Sequence, residues 1–229
     1  SDEKIKTLCI EASKKGFKHV KLKVGKNLND DVRRLAVVRE TLGDDVNILL
    51  DANQVWEVDE AIKWMKELSK FNPYFIEEPT SPDDILGHRK IKDAIYPIKV
   101  ATGEAVQNRI IFKQLISHKA IDIVQIDACR MGGINEALAV QLISKKFDIP
   151  VWPHAGGVGL CEYVQHLAMI DYISISGEKK ENVIEYVDHL HEHFVNPVQL
   201  KNVNYMPPNH PGFSIDLKSE VFKNFIFQN

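Results

Sequence analysis

Apolar positions along the chain follow two alternating rhythms. Ile5, Leu8, Cys9 and Ala12 fall at helical spacing with Gly16 behind them, so residues 2–16 read as a helix. Residues 18–24 then alternate as a strand, which puts Lys21 and Lys23 on one face. Val32, Leu35, Ala36, Val38 and Leu42 mark a helix over 29–43, stopped by Gly43. The exchange repeats through strand 46–51 and helix 58–70, then strand 74–77 and helix 82–95 with Pro82 in its first turn. Strand 98–102 and helix 107–118 follow, then strand 121–127 and helix 134–147, strand 149–152 and helix 160–170, and strand 172–175. A strand–helix unit of roughly 30 residues is the βαβ period. Regular alternation predicts an α/β fold, a parallel sheet of seven strands with helices outside it. From about residue 186 the pattern dissolves into a histidine-rich run, Asp188–His193, and a proline-rich one, Met206–Gly212. This predicts an irregular tail that packs on another surface.

Composition narrows the class. At 229 residues and 44% hydrophobic, the chain can bury one sizeable core, though it is a little short of the roughly 250 residues of a closed β/α barrel. It begins at Ser1 and directly in a helical pattern, so a fragment or processed product is expected. Net charge is −3 with both signs interspersed, which argues against a nucleic-acid partner. No apolar run approaches a membrane span of about 18 residues. Cys9, Cys129 and Cys161 are widely spaced without a CxxC, which suits buried thiols in a reducing compartment.

The chemistry lies at the strand ends. Lys23, Asp51, Glu77, Glu104, Asp127 and His154 close six successive strands at intervals of 23–28 residues. In a β/α barrel those ends share the face that carries the active site. Three carboxylates brought together repel unless a cation joins them. Asp51, Glu77 and Glu104 therefore form a candidate Mg²⁺ set that leaves positions open for a chelating substrate. Asp127 is placed to fix the tautomer of His154 and raise its basicity. No nucleophile elbow or triad accompanies that histidine, so it is read as an acid–base group. Lys23 is expected to face the His154 side from across the barrel. Repulsion from Lys21 and from a metal suits it to accept a proton, while Lys21 contacts a substrate carboxylate. A lysine and a histidine about a chelated carboxylate point to proton abstraction α to that group. Two other features carry less. His189, His191 and His193 lack a second ligand group at zinc spacing. The glycines at 156–159 match no phosphate-loop pattern and are read as room for backbone beside the substrate.

These residues also carry a resemblance. Lys21-Leu-Lys23, Asp51-Ala-Asn53, Ile76-Glu-Glu-Pro79, Gly103-Glu104, Gln125-Ile-Asp127 and Pro153-His154, in this order, resemble the enolase superfamily, mandelate-racemase subgroup. Residues 80–88, 154–162 and 185–194 are similar to the L-fuconate dehydratases and their animal relatives. The resemblance implies a TIM-type (β/α)7β barrel, here without its first strand and without the N-terminal α+β capping domain. On that basis residues 1–185 are the catalytic barrel domain, and 186–229 a C-terminal segment that would pack on the absent cap. It implies Mg²⁺ on Asp51, Glu77 and Glu104, a Lys23 base, an Asp127–His154 dyad and Glu185 near the substrate. Lys21, Asn53 and Arg130 are the other substrate-contact candidates. The implied reaction is hydro-lyase chemistry, L-fuconate to 2-keto-3-deoxy-L-fuconate and water. The family places it inside the cell, mitochondrial or cytosolic, with a small acid-sugar substrate, a cap needed to close the site, and homo-oligomerisation open. Two alternatives stand beside it: dehydration or racemisation of another acid sugar, and a catalytically silent barrel with a binding role.

Overall fold

The computed structural model describes residues 1–177, 179, 182–187 and 190–225. By internal contacts the chain divides into two compact units, Ser1–Val124 and Gln125–Asn229.

The first unit is a five-stranded parallel sheet in the order β1-β2-β3-β4-β5. Its strands are β1 (His19–Lys23), β2 (Asn47–Asp51), β3 (Phe75–Glu77), β4 (Lys99–Thr102) and β5 (Ile123–Val124). Helix α1 (Asp2–Lys15) precedes β1, and α2 (Leu28–Leu42), α3 (Val58–Leu68), α4 (Ile85–Ile95) and α5 (Arg109–Ser117) alternate with the strands. The helices bury faces at helical spacing: Leu35 and Val38 on α2, and Ala61, Trp64, Met65 and Leu68 on α3. β2 shows no such alternation. Ile48, Leu49, Leu50 and Asp51 are all buried, as in a parallel sheet covered on both faces. Helix starts are closed locally: the Asn27 side chain accepts from Asp30 N–H, and Asn108 from Ile110 and Ile111 N–H. At α4 the cap is Asp84, which accepts from Gly87 N–H. Pro82 therefore lies in the preceding turn rather than in the first helical turn.

In the second unit α6 (Ile134–Lys146) and α7 (Leu160–Ile170) are the long helices. Two single backbone hydrogen bonds join its extended segments: His154 N–H donates to Ile126 O at 3.0 Å and Glu185 N–H to Pro153 O at 3.3 Å. The strand expected over 149–152 is reduced to one bridging residue, Val151; Pro150 before it and Pro153 just past the expected strand have no N–H to give. The strand expected over 172–175 does not form. A π-helix, Asp171–Ser176, prolongs α7 there, ending at Gly177 in the left-handed region. The Tyr-Ile-Ser-Ile alternation has no face to bury: Tyr172 is 42% and Ile173 75% exposed. Residues 182–187 run beside Pro153 instead.

The C-terminal segment forms a short antiparallel pair, β6 (Leu200–Lys201) and β7 (Asn204–Tyr205), and ends in α8 (Ser219–Asn224). It packs on α7: Val198 and Tyr205 lie against Leu160, Cys161 and Val164. The Phe194 ring sits so close to Gly159 that a β-carbon there would lie 3.1 Å from it. His191 Nδ1 lies 2.6 Å from Oε1 of the fully buried Glu162, and its Nε2 lies 2.8 Å from Val187 O. These contacts tie the segment to the helix.

Candidate active site

In the first unit the sheet register builds a cluster of charge. Lys23 pairs with Asp51 and Asp51 with Glu77, so three charged residues line up across neighbouring strand ends. The loop after β4 brings Glu104 to them. A carboxylate oxygen from each of Asp51, Glu77 and Glu104 lies within 4.8 Å of the others. Asp51 and Glu77 have no exposed surface. Buried carboxylates are tolerated only beside positive charge or a metal, and the lysines point at them. Lys23 Nζ is 2.5 Å from Asp51 Oδ2. Lys21 Nζ donates to Glu77 Oε1 at 2.8 Å and Oε2 at 3.1 Å and lies 3.6 Å from Asp51 Oδ2. Three hard oxygen donors converging on one point fit a divalent ion such as Mg²⁺. Among the described residues no other group of three or more His, Cys, Asp and Glu side chains meets this condition.

The second unit carries the histidine. Asp127 Oδ2 lies 2.7 Å from His154 Nδ1, while its Oδ1 accepts Cys129 N–H at 2.6 Å and Arg130 N–H at 3.1 Å. Burial raises the Asp127 carboxyl, but the His154 hydrogen bond, the two backbone N–H groups and the imidazole charge outweigh it. The group is held below the usual range. Asp127 thus stays a carboxylate and fixes the proton on Nδ1. That leaves Nε2 as the accepting nitrogen. It accepts Gly156 N–H at 3.1 Å and lies 3.7 Å from Glu185 Oε2. Glu185 Oε2 in turn accepts Ala155 N–H at 2.8 Å. The structure therefore brings Asp127, His154 and Glu185 together within this unit.

Other residues singled out in the sequence take different places. Asn53 and Arg130 are exposed, and their backbone N–H groups brace Asp51 and Asp127. His191 holds the tail to Glu162, and His189 lies outside the described residues. Gly156 makes room for the His154 ring: a β-carbon there would sit 2.5 Å from Nε2. Sequence reasoning missed Gln54 and Glu78. The doubled carboxylate Glu77-Glu78 was the available signal, but it does not tell which of the two points inward as a ligand.

The family model for enolase C-terminal domain-like proteins matches residues 4–221. The chain belongs to this family. It is 54% identical over 225 residues to human mitochondrial enolase superfamily member 1, covering 97% of this chain and 51% of that protein. It is 56% identical over 228 residues to L-galactonate dehydratase of Hypocrea jecorina, covering 98% and 50%. The crystal structure of the human protein superposes with a TM-score of 0.94 at 54% identity, over 96% of this chain and 50% of that one. A mutant L-talarate/galactarate dehydratase liganded with Mg and L-glucarate superposes at 0.83 and 29% identity, over 97% and 54%. The chain spans about half the length of these relatives. It thus has an α/β fold, a parallel sheet with helices, that matches the barrel structures of the enolase superfamily.

Proposed function

We propose that this chain carries the catalytic residues of a Mg²⁺-dependent acid-sugar dehydratase. The observation that carries the reading is the convergence of Asp51, Glu77 and Glu104, faced by Lys21 and Lys23, at the strand ends of the first unit. L-fuconate is the substrate we favour. It is the 6-deoxy counterpart of L-galactonate, the acid named for the Hypocrea jecorina relative, so one configuration from C2 to C5 covers both. Dehydratases named for arabinonate and for talarate and galactarate, at 31% and 38% identity, support the wider acid-sugar class.

In this reading Asp51, Glu77 and Glu104 hold the ion. Bound there, Mg²⁺ would stabilise the negative charge that develops on the substrate carboxylate as C2 loses its proton. Lys23 takes the C2 proton, and Lys21 and Glu185 contact the substrate, with Asn53 and Arg130 at the rim. His154, protonated on Nε2 while Asp127 holds Nδ1–H, gives a proton to the C3 hydroxyl. The C3–O bond breaks and water leaves. The resulting enol gains a proton at C3 from the same imidazole, after it is reprotonated, and releases its C2 hydroxyl proton to solvent, becoming the 2-keto-3-deoxy acid. A capping domain that closes the site, and a further packing surface for residues 186–229 against it, belong to the same proposal. So does a mitochondrial or cytosolic setting. Among the described residues no helix is long and apolar enough to cross a membrane.

The test is 2-keto acid formation from L-fuconate and L-galactonate with and without Mg²⁺, on this chain and on a version extended by the family's capping domain. Lys23→Ala and His154→Asn should abolish turnover in the active form while Mg²⁺ binding persists. If Glu77→Gln kept full Mg²⁺ affinity and turnover, the ligand set would be wrong.

A further inference from the structure

Two loops beside the carboxylates are built from residues in an unfavourable backbone region. After β2, Asn53 and Gln54 have φ of 44° and 64°; after β3, Glu78 has φ of 43°. Side chains other than glycine rarely adopt this region, and where several do so together the surroundings must enforce it. Here the enforcement is mutual. Gln54 N–H donates to Glu78 O at 2.9 Å, and Gln54 Nε2 donates to Glu78 Oε1 at 2.7 Å. Glu78 itself is 1% exposed. The pair therefore closes a double hydrogen bond between residues three positions after Asp51 and one position after Glu77. Around it, Asn53 N–H donates to Asp51 Oδ1 at 2.9 Å and Ala52 N–H to Glu77 O at 3.0 Å. Every bond in this set either joins the two loops or orients a candidate ligand.

We propose that Gln54 and Glu78 form a positioning clamp that sets the spacing of Asp51 and Glu77 and so tunes divalent-ion affinity. Glu78 is not among the three converging carboxylates. The clamp acts by keeping the two strand ends from spreading when the carboxylates are repelled by one another. It rests on the Mg²⁺ reading above and deepens it. Groups that orient metal ligands typically change affinity about 10- to 100-fold when removed.

The experiment is calorimetric titration of Mg²⁺ into the protein, paired with thermal melting in EDTA. Gln54→Gly removes the side-chain bond while allowing φ of 64° without strain, so folding should survive. Expected is a Mg²⁺ Kd weakened about 10- to 100-fold at a temperature where the metal-free variant is still fully folded, alongside a lower melting temperature from the lost bond to buried Glu78. The exchanged pair, Gln54→Glu with Glu78→Gln, keeps one donor and one acceptor and should recover most of the affinity that Gln54→Gly loses. Wild-type affinity in Gln54→Gly would overturn the clamp and leave the ligand set standing. So would an affinity loss seen only where the metal-free variant is partly unfolded. Failure of the wild-type protein to bind Mg²⁺ at all would overturn the ligand set, and the clamp with it.

Discussion

At the scale of single residues, the site depends on a missing side chain as much as on those present. His154 is held from one side by Asp127 and approached from the other by the Gly156 backbone, whose β-carbon would meet Nε2 at 2.5 Å. The ring cannot retreat without breaking its bond to Asp127. Gly156→Ala should therefore displace the imidazole and lower kcat about 100-fold. Mg²⁺ affinity should be unchanged, since His154 is not among the candidate ligands Asp51, Glu77 and Glu104. Turnover and metal titration on the same preparation check this. The glycines at 156–159 were conspicuous in the sequence, but their reading as room beside a substrate was incomplete. Nothing in a linear pattern says that the neighbour needing space is the histidine two residues back.

At the scale of elements, α4 couples its own start to a buried base. Asp84 caps the helix through Gly87 N–H, and its carbonyl receives Nδ1 of His88, one turn on and fully buried. Burial holds His88 below its ordinary value of 6.5, against the smaller upward pull of the Asp84 carbonyl and charge. In the unfolded chain the ring binds a proton as pH falls through that value; in the folded chain it resists. The unfolded state then holds more protons, so stability falls on acidification from about pH 7 to pH 5. His88→Gln should flatten the melting-temperature profile over that window, whatever it does to the absolute value. Elements themselves were largely legible, because strands that end in charge and helices with apolar faces and polar caps are local signals. The π-helix at Asp171–Ser176 was not. Its period-two pattern is locally sound, and only the continuation of α7 and the packing of residues 182–187 beside Pro153 decide against a strand.

At the scale of the whole molecule, the candidate chemistry is divided between two compact units. The carboxylates and lysines belong to Ser1–Val124, and Asp127, His154 and Glu185 to Gln125–Asn229. An ion that binds only the folded state adds stability by mass action, about 2.7 kcal/mol at 100 times Kd. For a chain of this size that corresponds to roughly 5–10 °C in melting temperature. Calorimetry with Mg²⁺ against EDTA should show this rise, and if two transitions resolve, the one assigned to the first unit should carry it. Glu77→Gln should remove it. The sequence by itself determined the α/β alternation, the strand-end placement of Lys23, Asp51 and Glu77, the position of Glu104 and Asp127 just after β4 and β5, and the family, since spacing and local periodicity are carried by neighbouring residues. Tertiary structure decided the rest. Strand register converted separate strand ends into one row of charge, and contacts between loops distant in sequence made the Gln54–Glu78 pair and the Glu162–His191 tie. Such contacts depend on which segments burial brings together, and no local pattern encodes that.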